Sequence, residues 1–198
     1  MKKGLVILIA VAAVVLGIFF WFQGNYNKMV KMDEGVQAAW SQVENVYQRR
    51  ADLIPNLVAT VKGYASHEQQ TLEGVISARS KATQITVNPE DLTSEQMEKF
   101  QKAQGELGSA LGKLLAITEN YPDLKANTNF LELQAQLEGT ENRIAVERKK
   151  FNDAARVYNT TIRQFPKNIV AGMFGFEKKP YFEAQEGAEQ APKVEFQK

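Results

Sequence analysis

Between Gly4 and Phe22 the chain runs GLVILIAVAAVVLGIFFWF, nineteen residues without a charge. At about 1.5 Å per residue that run makes a helix roughly 28 Å long, close to the ~30 Å hydrocarbon core of a bilayer. A cleaved secretory signal is the competing reading, but signals carry about 7–15 apolar residues followed by small ones. Here the run ends in Phe19-Phe20-Trp21-Phe22 with no A-x-A-like site behind it. Aromatics in that position suit an interfacial belt. The expectation is an uncleaved transmembrane anchor over 4–22, with residues 1–3 as a short flank. Lys2 and Lys3 precede the span, while Lys28 and Lys31 follow it. The positive-inside rule leans toward an inside N-terminus and an extracytoplasmic, periplasmic domain.

Without Lys2 and Lys3 the chain keeps 22 basic and 23 acidic residues. That balance offers no basic excess for phosphates, so nucleic-acid binding is not expected. Cysteine is absent. Lipoprotein anchors, disulfides and thiolate metal sites are therefore excluded. About 175 residues suffice for one domain with a real core.

Helical periodicity dominates that domain. Val36, Ala39, Trp40, Val43, Val46 and Tyr47 form one stripe. The anchor can run into this helix, although Gly24 and Gly35 weaken the junction. Pro55 disfavours helix for its predecessor yet suits a first turn, which predicts a turn or kink near Arg49–Ile54. A second helix is then expected from Pro55 to about Thr83, with Leu57, Val61, Tyr64, Leu72 and Val75 on its stripe and Glu68 among them. Residues 85–93 read as a loop around Asn88-Pro89. A third helix should start at Thr93 or Ser94 with a Thr93/Gln96 capping box. Gly105, Gly108 and Gly112 interrupt it, and close helix contact is the preferred explanation over a hinge.

A fourth helix is expected from Tyr121-Pro122-Asp123-Leu124 to about Gln164. Phe130, Leu137, Ile144, Phe151, Tyr158 and Phe165 recur every seven residues along it, a coiled-coil-like seam. Leu133, Thr140, Glu147, Ala154 and Thr161 accompany them, so the seam is partly small or polar. Pro166 closes this helix, and one more turn fits within 167–172. The fold class is all-α: a transmembrane helix, then an antiparallel bundle of about four long helices over 24–172, then an extended tail over 173–198. The tail's Phe174, Phe176, Tyr181, Phe182 and Phe196 invite docking on the bundle or on a neighbour, with a mobile stretch at its end.

Chemistry is sparse. His67-Glu68 begins like a zinc-protease helix but lacks the second histidine. No G-x-S-x-G, P-loop or G-x-G-x-x-G occurs. No cofactor or metal is expected, and no nucleophile has a base; Glu68, Glu119 and Glu141 are the only carboxylate cluster conceivable. Polar residues on or near buried stripes are the remaining candidates: Arg49, Arg50, Asp52, Asn56, Glu68, Arg79, Glu119, Asn127, Asn129, Glu141, Asn142, Arg143, Asn152 and Asn159. They make either a buried binding site or a paired network that fixes helix register, and the network is favoured.

These residues also carry a resemblance. Arg49-Arg50-Ala51-Asp52-Leu53-Ile54-Pro55-Asn56-Leu57-Val58 resembles the RRxDLIPNLV signature of the bacterial LemA family. Val61-Lys62-Gly63-Tyr64-Ala65, His67-Glu68, Ala78-Arg79, Glu119 through Asn127, Thr140 through Ala145, Phe151-Asn152, Tyr158-Asn159, Phe165-Pro166 and Tyr181-Phe182 continue it in order. Phe151 departs from a pattern that more often has tyrosine there. The resemblance implies a short anchor in the bacterial inner membrane and long antiparallel helices. It implies no reaction; the family is associated with envelope stress and with building magnetosome membranes. Two roles follow as expectations. One is a non-enzymatic scaffold that forms homo-oligomers at the membrane. The other is an adaptor that presents its bundle to another membrane protein, such as a protease or sensor.

Overall fold

The computed structural model describes residues 2–90 and 92–183. Among them lie six helices: α1 (Lys2–Tyr64), α2 (Gln69–Gln84), α3 (Ser94–Thr118), α4 (Pro122–Lys125), α5 (Thr128–Arg163) and α6 (Lys167–Phe174). The all-α architecture with four long helices is as expected from the sequence. Its breaks fall elsewhere.

The kink expected at Arg49–Ile54 does not form. α1 is one helix of 63 residues that carries the apolar segment, the first bundle stripe and Pro55 without interruption. At 1.5 Å per residue it is about 95 Å long. The helix expected from Pro55 to Thr83 is accordingly split at Ala65–Glu68, where Gly63 precedes the turn and Ala65 is fully buried. The expected fourth helix is also divided. α4 is a single turn with Pro122 at its start, and Asn127 opens α5 by accepting from the Phe130 amide at 3.0 Å. α3 starts as predicted, with Thr93 and Gln96 bonded reciprocally at 3.2 Å.

α5 lies antiparallel to α1: Tyr64 meets Asn127, Arg50 meets Glu141 and Trp40 meets Phe151. α2 folds back along α1, and α3 runs against α2. The heptad seam of α5 is buried from Phe130 through Tyr158. Phe165 is not part of it, because α5 ends at Arg163 and leaves that ring 82% exposed. The α3 glycines do not mark close contact either. A Cβ at Gly105, Gly108 or Gly112 would meet no atom within 4 Å.

Two apolar cores result. One, nearer the apolar segment of α1, gathers Met29, Val36, Trp40, Tyr47, Phe100, Phe151, Tyr158 and Phe182. Trp40 stacks on Phe182 at 5.8 Å and meets Phe100 and Phe151 edge-on. Each such aromatic pair adds about 0.5–1.5 kcal/mol beyond its burial. Phe151 needs no hydroxyl in this setting. The other core, toward the far end, gathers Ile54, Leu57, Val61, Leu72, Leu107, Leu114, Phe130 and Leu137.

The tail is less free than its composition implies. Its first residues, Met173 and Phe174, finish α6, and the extended segment that follows lies on the bundle as far as Glu183. The remainder of the expected tail, 184–198 with Phe196, lies outside the described residues.

Candidate functional site

Arg50 sits where the two cores meet. Its side chain is buried, and its guanidinium donates to Glu141 Oε1 at 2.9 Å and to the Gln104 backbone oxygen at 3.2 Å. A further bond goes to the Gln104 side chain, and the cation lies 5.0 Å from the Tyr47 ring centre. Three helices are thereby tied at one level. Glu141 is about half exposed, so its charge keeps much of its hydration. Burial raises the Tyr47 hydroxyl above its ordinary value, against the opposing pull of Arg148 and Arg50.

One turn further along α1, Pro55 has no N–H for the carbonyl of Ala51, its usual partner four residues back. Arg79 on α2 fills that vacancy, with Nε donating to the Ala51 oxygen at 2.8 Å. The signature's proline and its distant arginine are therefore one device. It keeps α1 helical through a residue that otherwise breaks helices.

At the far end of the bundle, Tyr121 donates to Glu68 Oε1 at 3.0 Å and Asn127 donates to the Tyr64 hydroxyl at 2.9 Å. That hydrogen bond to Glu68 is the main reason the Tyr121 hydroxyl titrates above its ordinary value. Toward the apolar segment of α1, Asn159 and Asn152 grip the segment after α6. Asn159 donates to the Lys179 carbonyl at 2.8 Å and accepts from its amide at 2.9 Å. Asn152 repeats both bonds with Phe182, at 3.0 and 2.8 Å. Lys179 Nζ meets Asp33 Oδ1 at 3.0 Å and the Glu90 carbonyl at 3.2 Å. Burial, with Asp33 and Glu177 nearby, pushes the Tyr158 hydroxyl far above its ordinary range, so this ring stays neutral.

The remaining candidates hold less. Arg49 makes a 3.4 Å bond to Gln136, Asp52 only a local one from Gln48, and Glu119 an exposed ion pair with Lys125. Asn56, Asn129, Asn142 and Arg143 are exposed, with no side-chain bond to a described residue. The conceivable carboxylate cluster does not exist. Glu68, Glu119 and Glu141 bond to Tyr121, Lys125 and Arg50 respectively, and Glu68 and Glu141 belong to different levels of the bundle. Among the described residues no three metal-binding side chains converge.

Sequence reading missed Gln104, Asp33 and Lys179. The first two had a visible signal. Gln104 occupies the stripe position between Phe100 and Leu107, and Asp33 the one between Met29 and Val36, so each is a polar residue in a core register. Lys179 lies in an extended segment and had none.

The sequence matches the LemA family over residues 39–196. It is 30% identical to the magnetosome protein MamQ of Magnetospirillum gryphiswaldense over 175 residues, covering 80% of this chain and 64% of that protein. Magnetosome protein MamQ 1 of Paramagnetospirillum magneticum matches similarly, at 30% over 176 residues. Protein LemA of Metamycoplasma hominis is 28% identical over 172 residues, covering 86% of this chain and 75% of that protein. The chain thus spans about 65% of the length of the magnetosome relatives it matches.

Proposed function

We propose that this chain, which belongs to the LemA family, is a single-pass membrane protein acting as a non-enzymatic scaffold that self-assembles at the bacterial inner membrane. The observation that carries the proposal is the unbroken α1. A helix with an apolar first third, exposed as far as Trp21, continues as the central member of the bundle. The 42 residues from Gln23 to Tyr64 then hold the bundle upright, reaching about 60 Å from the bilayer surface. A rigid post of that kind suits lateral contact between copies that the membrane already concentrates. The signature residues support the same reading, since Arg50 ties α1 to α3 and α5, Arg79 keeps α1 helical past Pro55, and Asn152 and Asn159 hold the segment after α6 on α5. Matched relatives are named magnetosome proteins, and the proposal extends to a role in envelope integrity or stress.

The test is particle size. Full-length protein extracted in mild detergent should give a defined homo-oligomer by mass photometry and negative-stain imaging. A clean monomer overturns self-assembly.

One observation favours an adaptor instead. Asp52, Asn56, Asn142 and Arg143 belong to the signature yet hold nothing between helices. On that reading, a photo-crosslinker at Asn56 captures a membrane-protein partner, and Asp52→Ala loses the capture without changing the melting curve. Capture of the chain itself at that position returns the weight to the scaffold.

A further inference from the structure

α6 is apolar on both sides. Val170 and Ala171 are buried in the anchor-side core. Ile169, Met173 and Phe174 are exposed, as is Phe165 just before the helix. Ile169 and Met173 are four residues apart on α6, which sets them on one side of it, and Phe165 stands in the turn that leads into the helix. A helix apolar all round is normally covered by protein or lipid. Here four large side chains within ten residues face outward, which is unusual for a bundle surface.

The level of the C-terminal end of α6 along α1 is fixed by contacts. Tyr26 lies 4.7 Å from the Phe174 ring and 5.7 Å from Phe176. Phe22, the last residue of the apolar run, packs against the same core as Phe176. Tyr26 is one turn, about 6 Å, beyond Phe22. The headgroup region of a bilayer is about 5–8 Å thick on each side of its hydrocarbon core. The Phe174 end of α6 therefore stands at headgroup depth whenever the run over 4–22 spans the core.

Charge agrees. Lys28 and Lys31 follow the run on α1 and Arg163 and Lys167 flank the Phe165 turn, while the first acidic residues on either segment, Asp33 and Glu177, come after them, and Asp33 is paired with Lys179. Aromatic and aliphatic side chains flanked by cations are what an interface with anionic lipid takes up.

We propose that α6 and the Phe165 turn form a second contact with the bilayer, resting in the headgroup region beside the anchor. This rests on the anchor spanning the membrane. It gives the upright bundle a foot and fixes its rotation about α1.

The absence of cysteine permits single-site spin labels on the full chain. Val15→Cys, Met173→Cys and Val146→Cys variants are placed in nanodiscs containing phosphatidylglycerol, with helicity checked by circular dichroism. Accessibility to oxygen and to a water-soluble nickel chelate gives each label's depth. The expected result is a deep label at 15, a headgroup-level label at 173 and an aqueous one at 146, with Ile169→Cys repeating the second. A label at 173 as aqueous as that at 146, while 15 stays deep, overturns the foot and leaves the anchor standing. An aqueous label at 15 overturns the anchor and the foot together. A label at 173 shielded from both reagents, with dipolar broadening between labels, overturns the lipid contact in favour of a second copy.

Discussion

Pro55 removes one backbone hydrogen bond from α1, and Arg79 restores it from another helix. The two residues should therefore be coupled. Arg79→Ala leaves the Ala51 carbonyl without its partner and is expected to destabilise the fold by about 1–3 kcal/mol. In a Pro55→Ala background the restored amide N–H satisfies that carbonyl, and the same substitution should cost much less. Denaturation of the four proteins in this cycle measures the coupling; equal costs in both backgrounds would mean the arginine acts elsewhere. Glu44 offers a second test by titration. Burial is the main influence on its carboxyl and raises it above the ordinary range, with the Trp40 indole opposing. The folded state then binds that proton more tightly than the unfolded chain, so the contribution is favourable at low pH and is lost as pH rises through the folded value. Glu44→Gln should raise the melting temperature at neutral pH, with a gain that shrinks as pH falls below the carboxylate range. A gain independent of pH would refute that cause.

Among the elements, α3 is the one whose sequence argues least for its state. Gly105, Gly108 and Gly112 each disfavour helix by nearly 1 kcal/mol relative to alanine. Open space surrounds the place a Cβ would take at each. Alanine at each position should therefore stabilise the bundle, by about 0.4–1 kcal/mol per site. Chemical denaturation of the triple variant decides between this and the close contact that the glycine pattern predicts, because close contact would make the alanines destabilising. The segment after α6 behaves in the opposite way. Its own sequence has no periodicity, and four bonds from Asn152 and Asn159 hold it. Asn159→Ala removes two buried bonds at once, leaving the Lys179 amide and carbonyl unpaired. A cost of about 1–3 kcal/mol and faster tryptic cleavage after Lys178 should follow; unchanged cleavage would mean the aromatic contacts of Phe182 suffice.

For the whole molecule, the consequence of a continuous α1 is height and stiffness. Single particles of the full chain in nanodiscs should show a narrow density rising about 60 Å from the disc. Inserting a flexible Gly-Ser linker after Gln23 should blur that density while leaving the bundle's melting unchanged. A density equally blurred in the unmodified chain would mean that α1 does not stay continuous at the membrane surface.

Period and composition determined much of this protein unaided. The apolar run, the stripe of α1, the capping box at Thr93 and the buried row from Phe130 to Tyr158 are local patterns, and local patterns are written in neighbouring residues. Arg50, Arg79, Glu141, Asn152 and Asn159 are legible as polar residues near apolar stripes, but that Arg50 meets Glu141 and Gln104, Arg79 the Ala51 carbonyl, and the two asparagines the segment after α6 is not. Only the tertiary structure decided that α1 passes through Pro55, because the bond replacing the proline's reaches Ala51 from a residue 28 positions further along. It likewise decided that the α3 glycines face open space, that Phe165 lies outside the seam, and that the segment after α6 is held against α5. Each of these depends on what stands opposite in space. That is set by how the helices pair, and no window along the chain contains it.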